Sequence, residues 1–341
     1  MIKKFLFATV IGIICCSSCK KKDFSLNSNY EDVTIIYTLL NPDDSIHYMK
    51  IYKSFLTDSN AYDAAKDIRN YSYIDSIEVK LEEYNGTDLI QTYYFDTTTA
   101  IPKDSGIFAF PLQILYTSKI KLNRNYSYKV VVRNLYTQKI TTATTQLVGD
   151  ISVKYPIYYP NKINNITFLP RQQQLEFTKG ENITLCQASF YYYYTEVFKD
   201  GNRRQAAPVI FQAGETTTDI ISYFGENLLR KIKENVKVNN EVDHRYTDSV
   251  VLKIYTASND LYLFLLAISA STGLNQERME YTNVKSYSWE NGNLEEDGNA
   301  LGIVASRGVY SLMFDELSKT TNDSLLYGRF TGNLKFIKYD Y

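Results

Sequence analysis

Alternation of apolar and polar residues dominates the first half of the chain. Residues 33–56 are typical of two strands joined by a turn, and residues 73–84 alternate between apolar and charged positions. Asn85-Gly86 then predicts a hairpin turn to a returning strand. Residues 121–135 and 138–148 continue the same period of two. Because successive side chains of a strand point to opposite faces, this period predicts half-buried β-strands.

One strand in this half carries a more specific pattern. In residues 121–135, Leu122 is followed by Tyr128 and Val132. This order resembles the fibronectin-type-III strand in which a tyrosine closes a corner of the fold. We therefore expect a mainly β protein that begins with an immunoglobulin/fibronectin-III-like Greek-key β-sandwich over residues 31–150.

The pattern becomes mixed after Pro156 and Pro160, which interrupt a tyrosine-rich stretch and mark the predicted domain junction. We expect a second, β-rich domain over residues 151–341 with two inserted α-helices. An apolar stripe at helical spacing predicts one helix near 218–236, and an apolar run predicts a core helix near 258–272. The predicted closing strands are residues 300–314 and 327–339.

The N-terminus has the order of a lipoprotein signal peptide, predicted over residues 1–18. A short basic stretch precedes an apolar run that is too short to span a membrane, and small residues follow. Cys19 then stands as in the bacterial lipobox, where the thiol is acylated, although Cys16 replaces the usual leucine. We expect lipidation of Cys19, a tether over 19–30 and an outer-membrane address, with the periplasmic and surface-exposed faces both open.

The composition and the motif content argue mainly against particular classes of function. The 341 residues carry a net charge of −1, which gives no basic surface suited to nucleic acid. The two histidines, His47 and His244, are far apart in sequence, which argues against zinc centres and Ser-His-Asp triads. No phosphate-binding loop, dinucleotide fingerprint or nucleophile elbow occurs, so we expect neither a cofactor nor an enzyme.

The acidic turn at residues 291–299 is the best candidate for an ion site. Asn293, Glu295 and Asp297 alternate there, faintly like the ligands of a calcium loop. The twelfth position of such a loop is Val304 and not glutamate, so an EF-hand is excluded. These residues are weak metal candidates, and the alternative is a solvated acidic turn.

A run of four tyrosines offers a candidate aromatic platform. Alternation along a strand places Tyr191 and Tyr193 on one face and Tyr192 and Tyr194 on the other. We expect one face to enter the core, and Tyr191 and Tyr193 are the candidate platform for a glycan or peptide ligand.

A short motif recurs five times: aspartate, then serine or threonine, then a residue that is usually apolar. It resembles the O-glycosylation sequon of secreted Bacteroidetes proteins. Aspartate and serine are also ordinary turn residues, which is the alternative explanation. The five candidate acceptors are Ser45, Ser76, Thr97, Ser249 and Ser324.

Several stretches, taken in order, resemble an uncharacterised Bacteroidetes outer-membrane lipoprotein family that is defined by a domain of unknown function. They are the lipobox and residues 35–56, 122–132 and 300–307. Members are often encoded beside TonB-dependent receptors. This implies a lipid-anchored binding or accessory role in the envelope, with an outer-membrane receptor or a glycan or peptide as partner. The alternatives are a structural fimbrial or adhesin-like protein and a glycan-processing enzyme using paired carboxylates such as Asp43–Asp44 or Glu82–Glu83.

Overall fold

A nine-stranded sheet runs through both halves of the chain. The computed structural model describes residues 32–58, 60–271 and 281–338. The protein is mainly β, with 49% of residues in strands and 13% in helices, which confirms the predicted fold class. In spatial order the sheet contains β13 (Arg203–Gln205), β12 (Leu185–Phe198), β16 (Val242–Ala257), β19 (Ala300–Phe314), β1 (Thr34–Leu40), β2 (Ile46–Lys53), β6 (Leu115–Lys119) and β5 (Asp96–Thr98), with β14 (Val209–Thr216) also paired to β12.

Smaller sheets and short helices complete the described part of the chain. The six-stranded sheet contains β18 (Asn293–Glu296), β17 (Lys285–Glu290), β8 (Ile140–Gln146), β7 (Ser127–Asn134), β3 (Ile77–Asn85) and β4 (Asp88–Tyr94). The three-stranded sheet contains β15 (Ile220–Phe224), β11 (Gln172–Lys179) and β9 (Ile151–Tyr155), and a two-stranded sheet contains β10 (Asn165–Ile166) and β20 (Glu316–Leu317). The helices are α1 (Ala61–Ala64), α2 (Ile68–Tyr71), α3 (Glu226–Asn235), α4 (Asn259–Ser271) and α5 (Lys319–Tyr327).

Two hydrophobic cores lie on the same face of the nine-stranded sheet. The first fills the space under the six-stranded sheet, where Ile36 packs with Leu81. The second lies under the three-stranded sheet and α3, where Phe190 packs with Tyr223 at 5.4 Å between ring centroids. Strand β19 contributes to both cores at positions separated by an even number of residues. Because side chains alternate, one face of the sheet supports both cores.

The predicted boundary at residue 150 divides the cores but not the sheets. The first core draws on residues 36–147 with three residues of 284–304, and the second draws on residues 148–336. Strand β1 pairs in parallel with β19, with Ile36 opposite Gly302. Gly302 has a φ of +108°, and a Cβ there would lie 2.0 Å from the Ile36 carbonyl oxygen, so the pairing requires glycine. The division into two domains at residue 150 stays a prediction.

The N-terminal sandwich contains the predicted tyrosine corner. The Tyr128 hydroxyl accepts a hydrogen bond from the Asn123 N–H at 2.6 Å and donates one to Glu83 at 2.5 Å. The turn between β1 and β2 and the hairpin of β3 and β4 are also present as predicted. The second sheet of this sandwich is completed by β17 and β18, which come from the other half of the chain.

Two predicted elements are wrong in type or extent. The helix predicted near 218–236 begins only at Glu226, because Ile220–Phe224 alternates and pairs with β11 as a strand. Gly225 separates strand from helix, and a Cβ there would lie 2.0 Å from the Gln173 side-chain oxygen. The closing strand predicted at 327–339 is also wrong, because α5 ends there and the described residues that follow form turns and one isolated bridge.

The predicted helix near 258–272 is confirmed as α4, but it is not a core helix. Leu265, Leu266 and Ile268 are 44–47% exposed, although Ala267 is buried. Ser258 does not cap this helix through its hydroxyl, which instead accepts a hydrogen bond from the Ser306 N–H at 3.2 Å. No helix among the described residues combines the length and apolarity needed to span a membrane.

Candidate functional site

The outer face of the nine-stranded sheet, meaning the face opposite both cores, carries large apolar side chains. Alternation places Tyr37 and Leu39 of β1, Tyr48 of β2 and Val309 of β19 on it, and each is 37–40% exposed. Contiguous exposed apolar surface of this kind marks interaction sites more often than it occurs by chance. We therefore place the candidate site on the outer face.

Helix α4 lies across this face and forms one wall of a groove. It packs on β19, where Ile303 is only 2% exposed, and Phe264 meets the ring of Tyr37 edge-on at 6.1 Å. The space between α4 and strands β1 and β2 is about 1030 Å³, its open mouth included. We call it the α4 groove, and its lining is Tyr37, Thr38, Leu39, Asp44, Ile46, His47, Tyr48, Lys50, Leu115, Leu261, Phe264, Leu265, Ile303 and Arg307.

A second cavity adjoins the groove at Lys50, which lines both. Its volume is about 480 Å³ with the mouth included, and it contains two lysines and three aromatic rings. We call it the lysine pocket, and its lining is Lys50, Ile51, Tyr52, Tyr71, Ser72, Lys103, Phe108, Gln113 and Ile114. The two cavities share Lys50, and together they form a candidate site that combines positive charge with apolar surface.

Each lysine of the pocket accompanies an aromatic ring. The Lys50 ammonium lies 6.0 Å from the ring centroid of Tyr52, its neighbour on the outer face of β2. The Lys103 ammonium lies 5.3 Å from the ring centroid of Phe108. The ring of Phe108 in turn meets that of Tyr71 edge-on at 5.1 Å. Cation–π attraction of this kind holds the ammonium groups at the walls of the pocket.

Backbone hydrogen bonds fix the loop that carries Lys103 and Phe108. The Lys103 N–H donates to the Pro111 carbonyl at 2.8 Å, which closes the loop on itself. The Ala109 N–H donates to the Ala65 carbonyl at 3.1 Å, which ties the loop to the segment between α1 and α2. The pocket is therefore formed before any ligand arrives, as is usual for small-molecule sites.

The positive charge of the lysine pocket has no counter-charge among the described residues. Neither Lys50 nor Lys103 forms an ion pair or a side-chain hydrogen bond with any residue in the described part of the chain. Burial lowers the pKa of Lys50, and the nearby charge of Lys103 lowers it further. An anion placed between the two ammonium groups would relieve this repulsion, so the arrangement is suited to bind one.

Alternation along β2 predicts that Lys50 and Tyr52 share one strand face, but it does not connect them with Lys103. Two short helices, the β3–β4 hairpin and β5 lie between the two lysines in sequence, and no spacing rule links such positions. The dense apolar run of α4 could have signalled this surface, but it was predicted to be a core helix.

The predicted aromatic platform also lies on the outer face. Tyr191 and Tyr193 are half-buried there, whereas Tyr192 and Tyr194 are buried in the second core. The Tyr191 hydroxyl lies 2.6 Å from that of Tyr255. Lys253, which is on the same face, places its ammonium 4.6 Å from the Tyr191 ring centroid. The split between the two faces is as the alternation predicts, and a role in binding stays a prediction.

The weak ion candidates do not converge. Asn293 and Glu295 are exposed on β18. Asp297 turns inward, accepts hydrogen bonds from the Ser286 and Ser288 hydroxyls and lies 3.7 Å from the Lys139 ammonium. Burial raises the pKa of Asp297, but these hydrogen bonds outweigh it and the pKa is lowered overall. The Asp297 carboxylate thus has internal partners that hold the turn.

The members of each predicted carboxylate pair have separate partners; Glu82 and Glu83 also face opposite sides because they are neighbours on strand β3. Glu82 accepts a hydrogen bond from the Tyr84 hydroxyl at 2.7 Å, whereas the buried Glu83 accepts one from the Tyr128 hydroxyl. In the other pair, Asp43 binds Arg124, and Asp44 accepts from the Asn41 side chain at 2.9 Å. An enzymatic role for either pair has no further support in these contacts.

The predicted glycosylation sites lie in the described part of the chain, whereas the predicted lipidation site does not. Ser45 and Thr97 are exposed, and Ser76 and Ser249 are half-buried. Ser324 is half-buried within α5, and its hydroxyl donates to the Thr320 carbonyl at 3.0 Å. The signal peptide at 1–18, the tether at 19–30 and Cys19 itself lie outside the described residues. All of these sites stay predictions.

Comparisons with known proteins do not add a function. No protein-family model and no curated protein matches the chain. One similar solved structure is the C-terminal globular domain of an oligosaccharyltransferase from Pyrococcus abyssi, with 9% sequence identity and a TM-score of 0.21. The match covers 65% of this chain and 47% of that one, so the chain spans about half of the structure it matches. A TM-score this low carries no argument about fold or activity.

Proposed function

We propose that the protein is a lipid-anchored binding module of the bacterial cell envelope and serves as an accessory to an outer-membrane uptake system. The lipobox at Cys19 supports the anchor. The resemblance to lipoproteins encoded beside TonB-dependent receptors supports the accessory role. The ligand or partner is held on the outer face, in the lysine pocket and the α4 groove.

The observation that carries this proposal is the pair of adjoining cavities that share Lys50. Leaving the Lys50 ammonium without a counter-charge costs folding free energy, because burial disfavours the charged form. The exposed Leu265 side chain in the α4 groove leaves apolar area in water, which is also unfavourable. Both costs are offset when a ligand or partner covers the site.

The test is affinity purification of the tagged full-length protein from detergent-solubilised native membranes. We expect one stoichiometric outer-membrane receptor or glycan partner, and we expect Leu265→Glu to lose it because the charge faces the α4 groove. Leu89→Glu is the matched control, since Leu89 is 52% exposed on β4 of the other sheet. Absence of a stoichiometric partner, or equal retention by the two variants, would contradict the proposed function.

A further inference from the structure

We propose that the lysine pocket binds an acidic sugar, a six-membered ring that bears one carboxylate. This inference rests on the proposed function for the location of the ligand on the outer face, and it specifies what chemistry the ligand has. The charge, the aromatic walls and the polar groups of the pocket support it.

The charge of the pocket selects an anion. Lys50 and Lys103 line one cavity, and in the described residues no carboxylate pairs with either of them. A carboxylate between two ammonium groups forms charge-assisted hydrogen bonds, which are roughly twice as strong as neutral ones. Because lysine presents a compact charge on a flexible stem, the pair can follow the carboxylate of a ligand that enters from the mouth.

The walls select a ring in addition to the charge. Tyr52, Tyr71 and Phe108 give the pocket aromatic surface, and Tyr52 is itself braced by stacking on Tyr37 at 6.0 Å. Such aromatic faces pack against the flat apolar side of a ligand ring. A bare inorganic anion would leave these walls uncovered, so they favour a ligand in which the carboxylate is attached to a ring.

Polar groups between the walls favour a sugar over a purely apolar ring. Ser72 and Gln113 both line the pocket. The Gln113 side-chain N–H groups hold the loop through the carbonyls of Ile101 and Pro102, at 3.2 and 3.4 Å. This leaves the Gln113 oxygen as an acceptor for a ligand hydroxyl, and the Ser72 residue is a second polar group of the lining. Small-molecule sites typically combine a few such polar groups with apolar walls.

The lysine pocket shares Lys50 with the α4 groove. A longer acidic oligosaccharide bound in the pocket would therefore have the groove beside it for its neighbouring residues.

The test is titration of the purified mature protein in detergent with three probes: glucuronate, glucose and inorganic phosphate. Calorimetry or ligand-observed NMR should detect binding of glucuronate, with glucose and phosphate each binding at least about tenfold more weakly, since a tenfold change matches the loss of one charge-assisted hydrogen bond. Equal binding of phosphate would identify a bare-anion site, and equal binding of glucose would show that the lysines are not used. Either result, or no binding of glucuronate, would overturn the inference.

Variants and a second readout separate binding from folding. Lys50→Gln and Lys103→Gln should each weaken glucuronate binding by about tenfold. Lys121→Gln, at an exposed position outside the pocket, should leave it unchanged. NMR of ¹³C-labelled lysine in the unaltered protein should show the Lys50 pKa rising when glucuronate is added, because the bound carboxylate favours the charged form.

Failure of this inference is distinguishable from failure of the proposed function. If the membrane partner is recovered and glucuronate does not bind, the proposed sugar ligand is wrong and the proposed binding function is retained. If glucuronate binds and no partner is recovered from membranes, the sugar site is supported and the accessory role is wrong.

Discussion

Two cationic clusters in this protein are built in opposite ways. Arg245 is 1% exposed in the second half of the nine-stranded sheet, and its Nε and Nη2 lie 3.0 and 2.8 Å from one oxygen of Glu196. It also donates to the carbonyls of Leu334 and Lys237, at 2.6 and 2.9 Å. Arg204 binds the other oxygen of Glu196 at 2.6 Å. The Arg245 side chain thus forms four hydrogen bonds, and both oxygens of Glu196 are bonded within the protein.

The lysine pocket shows the contrary arrangement. Lys50 and Lys103 have aromatic neighbours but no counter-charge in the described residues, and their cavity is open. A charged group that stabilises the fold, such as Arg245, is paired with an opposite charge within the protein. A charge left without a counter-ion at an open cavity is available to a ligand. Exposure alone does not separate these cases, whereas the identity of the partners does.

We expect the largest loss of stability from a substitution in the cluster of Arg245, Glu196 and Arg204. Arg245→Met should lower the free energy of unfolding by about 3–5 kcal/mol, because Glu196 is left buried with one partner removed. Arg204→Gln is the control; its side chain is 64% exposed, so we expect a loss of about 1 kcal/mol or less. Chemical denaturation measures both. An Arg245→Met protein as stable as the original would show that this cluster does not hold the fold.

The pH dependence of stability is the next test, through Glu196. Burial raises the pKa of Glu196, but hydrogen bonds from Arg204 and Arg245 outweigh it and the pKa is lowered overall. The unfolded chain then binds more protons, so this contribution is complete above the ordinary glutamate pKa of about 4.3 and is lost as pH falls through the lowered value.

Denaturation midpoints measured between about pH 6 and pH 3 should therefore fall more steeply for the unaltered protein than for Glu196→Gln, which lacks the titrating group. Glu290→Gln, at an exposed strand position, should follow the unaltered protein. Parallel curves for all three proteins would remove the argument that Glu196 is held charged by its arginines.

The smallest effect on stability is expected in the lysine pocket. The double variant Lys50→Met, Lys103→Met should lower the free energy of unfolding by about 0.5 kcal/mol at most, and it could raise it. The substitutions remove two like charges without a counter-charge, and methionine retains most of the apolar part of the lysine side chain. Chemical denaturation of the double variant measures this. A loss of about 3 kcal/mol, as expected for Arg245→Met, would show that these lysines are structural and would end the contrast.

Local patterns predicted much of the β structure correctly. Alternation placed β1 and β2, the hairpin of β3 and β4, and the separation of Tyr191 from Tyr192. The tyrosine corner at Tyr128 was predicted because its signal lies within one strand and the turn before it. These features depend on residues a few positions apart, which the sequence displays directly.

Features that depend on distant residues were missed or misread. The pairing of β1 with β19 joins the two predicted domains in one sheet, and its requirement for Gly302 is visible only once Ile36 is beside it. The helix predicted from residue 218 begins at Glu226, because β11 provides an edge that Ile220–Phe224 can pair with. Tertiary pairing overrode a helical pattern in that segment.

The sequence by itself determined that the protein is mainly β and which side chains share each strand face, because the period of two is a local property of the backbone. It also determined the apolar character of α4. Only the tertiary structure decided that α4 lies exposed on the outer face and that Lys50 and Lys103 line one cavity. Proximity of groups on separate elements is set by how sheets and loops pack, and that information is not contained in any one segment of the chain.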